Sequence, residues 1–171
     1  VTINTDASCL SMIWNDDAAS FNPLMTGPNS YRIDIYESLE MSNGMTNNFL
    51  GAIIFRGSNM GVNSQFVDLD SVPSKSSIHL NGGGRYDVLS PIYQYGGAYE
   101  AGLRLNSGHF YTNSHAMRLS VLILNLPGGN SADISNSYIS TYGAFGGGAS
   151  YYATHYSSTN FKGIGSTISI N

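Results

Sequence analysis

His109 and His115 flank a Tyr- and Asn-bearing segment (HFYTNSH), a pairing from which a metal site can be built. On one extended strand, residues six apart share a face but stand roughly 20 Å from each other, so a common ion requires a turn between them. Asp68 and Asp70 form a D-x-D pattern that can offer two calcium oxygens, without the glycine and distal Glu of a known loop. Asp16 and Asp17 read as turn and cap residues. For acid–base work on a glycosidic bond the chain offers Glu37, Glu40 and Glu100 besides its Asp residues, and none stands in a context that raises a carboxyl pKa. G-x-S-x-G, H-E-x-x-H, C-x-x-C, Walker and EF-hand patterns are all missing. No catalytic residue, bound metal or cofactor is therefore expected, and the chain reads as a binder.

The binding chemistry lies in aromatics set among glycines. Tyr93, Tyr95 and Tyr99 surround Gly96-Gly97, while Tyr142, Tyr151, Tyr152 and Tyr156 surround the triple glycine at 146–148. Tyrosine gives a large amphipathic contact at small entropic cost, and Ser, Gly and Asn adapt their hydrogen bonds, which is the composition of paratopes. The same groups suit sugars, whose apolar faces stack on rings. Arg85 or Arg104 is available to pair with an acidic sugar. The expected ligand-binding residues are Tyr93, Tyr95, Tyr99, Tyr142, Tyr151, Tyr152 and Arg85. Leu69-Asp70-Ser71-Val72-Pro73 reads as a loop, and the single Trp14 is a poor stacking platform.

These residues must be positioned by strands, because period-2 alternation recurs along the chain and helical periodicity does not. Val1, Ile3 and Thr5 alternate, as do Tyr31, Ile33 and Ile35. Phe49 to Arg56 and Met117 to Leu126 are apolar in part on both faces, as expected of strands covered by a second sheet or a neighbouring subunit. Short strands follow at Ile78 to Leu80, Tyr86 to Leu89, Tyr99 to Leu105, Tyr138 to Tyr142, Tyr151 to Tyr156 and Ile164 to Ile170. Turn signals such as Asn43-Gly44, Asn81-Gly82-Gly83-Gly84 and Asn106-Ser107-Gly108 recur every ten to fifteen residues or so. Neither an internal repeat nor a linker is visible. The expectation is one all-β domain over 1–171, an antiparallel β-sandwich or jelly roll.

Charged residues are 11% of the chain, against roughly a quarter in ordinary soluble domains, with 20 Gly and 12 Tyr. The surface is then made of hydroxyls and amides, which suits an extracellular or virion-surface protein. A net charge of −4 with seven scattered Lys and Arg leaves no basic stripe for nucleic acid. The longest apolar run, from Leu119, is too short to span a bilayer, so no membrane insertion is expected. The lone Cys9 cannot pair within the chain and reads as a small buried residue. No N-x-[ST] site occurs despite the abundance of Asn.

A neutral, Gly-rich β domain with apolar strands suits a closed homo-oligomer. The apolar strand MRLSVLILNLP (Met117 to Pro127), the turn-dense middle and the closing SSTNFKGIGSTISIN (Ser157 to Asn171) resemble the trimeric receptor-binding heads that end viral and phage fibres, and the related tumour-necrosis-factor-like jelly rolls. The resemblance implies a homotrimer, a shaft preceding Val1, and a cell-surface glycan or protein as partner. A bacterial fimbrial adhesin, built as an immunoglobulin-like sandwich completed by a neighbour's strand, is the alternative, and a secreted lectin module is the third.

Overall fold

The computed structural model of the chain describes residues 1–14, 22–58, 64–94, 102–126, 129–141, 150–154 and 161–170. Strands, numbered in chain order, fall on three sheets. The first holds β1 (Ala7–Cys9), β4 (Arg32–Ile35), β7 (Ala52–Phe55), β9 (Ser77–Leu80), β12 (Leu103–Leu105), β15 (Val121–Asn125) and β18 (Ser150–Thr154). The second holds β2 (Met12–Ile13), β5 (Leu39–Glu40), β8 (Gln65–Asp68), β10 (Arg85–Val88), β13 (His109–Tyr111), β16 (Ser131–Asp133) and β19 (Phe161–Lys162). The third is in two pieces, β3 (Leu24–Gly27) with β6 (Thr46–Phe49), and β11 (Ile92–Tyr93) with β14 (Met117–Leu119), β17 (Tyr138–Thr141) and β20 (Thr167–Ile170). Ser74 alone bridges β6 to the later strands, pairing with Asn47 on one side and Gln94 on the other. Pro73 beside it has no N–H to extend a ladder.

Every pairing between these strands is parallel, and each turn of the chain adds one strand, or the single bridge at Ser74, to each sheet. The chain is a β-solenoid. This corrects the expected antiparallel β-sandwich or jelly roll; the all-β class holds, with no helix among the described residues. The reason is that alternation and turn residues are the same in both architectures. What differs is the partner, and here each strand pairs with one a full coil away. That interval runs from 19 residues (Leu103 to Leu122) to 29 (Leu122 to Tyr151), so no fixed period marks the coils in the sequence.

The two runs that look apolar on both faces are corners. Met117 and Leu119 point inward from the third sheet, Ser120 turns the corner, and Leu122 and Leu124 point inward from the first. Phe49 likewise ends β6, and Ile53 and Phe55 point inward from β7. Gly51 makes that turn because a Cβ there would collide with the carbonyl of Tyr31. Inside, Ile33, Ile53, Ile78, Leu103 and Leu122 stack as one ladder, and Ile35, Phe55, Leu80, Leu105 and Leu124 as another. All ten are completely buried. The interior is not wholly apolar. Asn47 donates to Ser74 Oγ at 2.9 Å, and Gln94 donates from Nε2 to the Ser76 carbonyl at 2.9 Å, so this buried column is hydrogen-bonded within itself.

Asn and Gly explain the corner from the first sheet to the second. Asn106 Nδ2 donates to Asn81 Oδ1 at 2.6 Å, and Asn130 Nδ2 to the Asn106 carbonyl at 3.1 Å, one asparagine above another. Gly82 N–H donates at 2.6 Å to the phenol oxygen of Tyr86, which is buried in the core. Tyr86 also meets Phe55 edge to face, centroids 6.1 Å apart. At the next corner Asp70-Ser71 and Asn113-Ser114 have positive φ at both residues, as in type I′ turns.

Candidate functional site

Two surfaces position chemistry, the edge between the third and first sheets and the outer face of the second. At the edge, Tyr93 leaves β11 half-buried, in register with the exposed Arg118 of β14. Gln94 follows, fully buried, and the chain next enters the described residues at Gly102, where a Cβ would collide with Val121. Two coils on, Thr141 closes β17, also fully buried, and the chain re-enters at Ser150. Gln94 and Thr141 continue one column through Leu119, and Gly102 and Ser150 continue another through Val121. Departure points and return points are therefore each about 10 Å apart, two strand spacings. In the coil between, Ser120 alone makes the same connection.

The 95–101 and 142–149 segments thus leave from one edge. Tyr95, Tyr99 and Tyr142 lie outside the described residues. The backbones of Tyr151 and Tyr152 pair in β18 with Leu122 and Ile123, next to the return point. The structure does not bring Arg85 to this edge. Arg85 sits on β10 of the second sheet, and Arg104 on β12 of the first, in register with His79 and Ile123.

On the second sheet, Arg85 donates to Asp87 twice, Nε to Oδ2 at 2.7 Å and Nη2 to Oδ1 at 2.9 Å, and lies with Cζ 4.3 Å from the centre of the Tyr111 ring. Such a guanidinium is held by a bidentate pair and by cation–π attraction together. Asn113 Nδ2 adds a third bond to Asp87 at 3.1 Å. Burial would raise the Asp87 carboxyl, but hydrogen bonds from Arg85, Asn113 and Ser64 outweigh it, and the group is held below the ordinary carboxylate value. The Asp87 bond raises Arg85 in turn. His109, beside Arg85 in register, has Nδ1 2.7 Å from Ser131 Oγ. Two strands from Asp87, Asp133 accepts from Lys162 Nζ at 2.9 Å and from the Ser135 N–H at 3.0 Å. Desolvation opposes these bonds, yet its carboxyl also ends lowered.

Asp87 and Asp133 share a column with Tyr111 between them, about 10 Å apart by strand spacing. That separation would admit a water and a sugar, but both carboxyls are stabilised as anions, so neither is prepared as a proton donor near neutral pH. This surface was only half visible in the sequence. Arg85 and His109 stand out there, but Asp87, Tyr111, Asn113, Asp133 and Lys162 do not, since nothing local says that β10, β13, β16 and β19 are neighbours.

The remaining candidates are structural where described. Asp68 Oδ1 accepts from the Asp70 N–H at 2.9 Å, and Asp70 Oδ2 from the Asn43 N–H at 2.7 Å, fastening one corner to the previous one. Leu69 and Val72 of that corner are buried. His109 and His115 are not on one strand, because the Asn113-Ser114 turn separates them. Among the described residues no three His, Cys, Asp or Glu side chains gather as a metal site. Glu37 accepts from Ser11 Oγ at 2.9 Å, while Asp16, Asp17 and Glu100 lie outside the described residues. Trp14 packs partly buried against the core, and half-buried Cys9, on β1, has its thiol pushed up by desolvation. No protein-family model matches the chain, and comparison with curated proteins and with solved structures finds no match.

Proposed function

We propose that this chain is a receptor-binding module of a viral or phage fibre or attachment protein, displayed at a virion or other extracellular surface, that holds a cell-surface glycan or protein through its tyrosine-bearing insertions. The supporting observation is the shared edge, since two glycine-rich segments bearing Tyr95, Tyr99 and Tyr142 depart from one column of the solenoid two strands apart. In solenoids, insertions that gather on one side are commonly the binding side. Paired, ionised carboxylates favour binding over acid catalysis. Homotrimeric assembly belongs to the proposal. Parallel coils provide neither the immunoglobulin-like sandwich of the fimbrial alternative nor the jelly roll of the fibre-head resemblance, so the proposal is carried by the edge alone. Cell-binding or glycan-array measurements on Tyr95→Ala and Tyr142→Ala test the reading. Binding should drop at least tenfold in each, and undiminished binding in both would remove the edge from consideration.

A further inference from the structure

We propose a second binding site, independent of the tyrosine edge, on the outer face of the second sheet, for a linear uncharged oligosaccharide lying along the solenoid axis. Phe66, Asp87, Tyr111, Asp133 and Lys162 stand in one column on successive strands from β8 to β19. Four strand steps make this column about 19 Å long, roughly four sugar units end to end. Four of its five side chains, all but Phe66, are held before any ligand arrives, by the Arg85–Asp87 pair, the Arg85–Tyr111 stack and the Lys162–Asp133 pair. Little ordering is then left for binding to oppose.

What remains free is neutral hydrogen bonding. Arg85 uses two of its five N–H donors on Asp87. Half-buried His109 engages Nδ1 with Ser131, and its Nε2 has no partner among the described residues. The Tyr111 hydroxyl has no partner among the described residues, and Phe66 and Tyr111 are both half-buried aromatics. Each cation here already faces its own carboxylate, so a polyanion would gain little from counter-ion release. An extended peptide would need a free strand edge, and a sheet face presents none. A hydroxyl-rich chain with apolar faces matches the rings, the donors and the length together.

The test is calorimetric titration of the intact chain with neutral linear oligosaccharides of gluco, manno, xylo and galacto type, two to six units long, and with a sulfated oligosaccharide of equal length. At least one neutral series should bind, tightening up to about four units. Its affinity should fall tenfold or more in Phe66→Ser and in Tyr111→Ala, and stay unchanged in Leu10→Ala, an exposed residue of the first coil outside both binding surfaces. Far-UV circular dichroism checks each fold, and His109→Ala replaces any variant that does not fold. The proposal is overturned if no neutral series binds at millimolar concentration, if affinity ignores length, if the face variants bind normally, or if the sulfated chain binds more tightly with steep salt dependence. Loss on Tyr95→Ala alone would return neutral-glycan binding to the tyrosine edge.

Discussion

Asp87 shows how a single carboxylate fixes a surface. Only 6% of its side chain is exposed, yet it is ionised, because Arg85, Asn113 and Ser64 offset the burial that would neutralise it. Its folded value lies below its unfolded one, so its contribution to stability is complete above the ordinary carboxylate range near 4. That contribution is lost as pH falls through the lowered folded value. Denaturant midpoints measured between pH 2 and 6 should fall less steeply in Asp87→Asn than in the parent. The gap should be about 1.5–3 kcal/mol, the range for a hydrogen bond to a charged group. Identical acid profiles would mean that Asp87 does not hold the cluster. Asp133 titrates with the same sign in both proteins, so the difference isolates Asp87.

At the scale of elements, the ladders predict where the body yields. Leu103 is completely buried between Ile78 and Leu122, so Leu103→Ala should cost about 2–5 kcal/mol. A chain of this size loses roughly 2–4 °C of melting temperature per kcal/mol, which calorimetry resolves. An unchanged melting temperature would argue against a close-packed ladder. Many strands were legible beforehand, because alternation is local: Ile33 and Ile35 do point inward, with Arg32 and Asp34 outward. Their order was not. A run such as MRLSVLILNL is read as one strand until Ser120 is seen to bend it, after which inward positions move from odd numbers to even. The candidate surfaces were legible to the same degree. Tyrosine clusters show in the sequence, whereas the Arg85–Tyr111 stack needs a partner one coil away. His109 against Arg85 is a register of 24 residues that no motif encodes.

The whole molecule is a stack of coils, each touching mainly the ones above and below. Trimerisation, expected from the sequence and part of the proposed function, has to use outer faces or edges of this stack. Sedimentation equilibrium on the purified chain should give a mass near three times the monomer's. A concentration-independent monomer would remove the trimer from the proposal and leave both binding surfaces to be tested singly. The corner at Ser120 has a consequence of its own. Hydrogen bonding sets the pitch of the column at that edge, while the number of residues between one rung and the next is left open, from a lone serine to eight. Variety can thus accumulate at the rim without disturbing the ruler beneath it, and Ser120 marks the vacant slot where a third segment would stand in line with the other two.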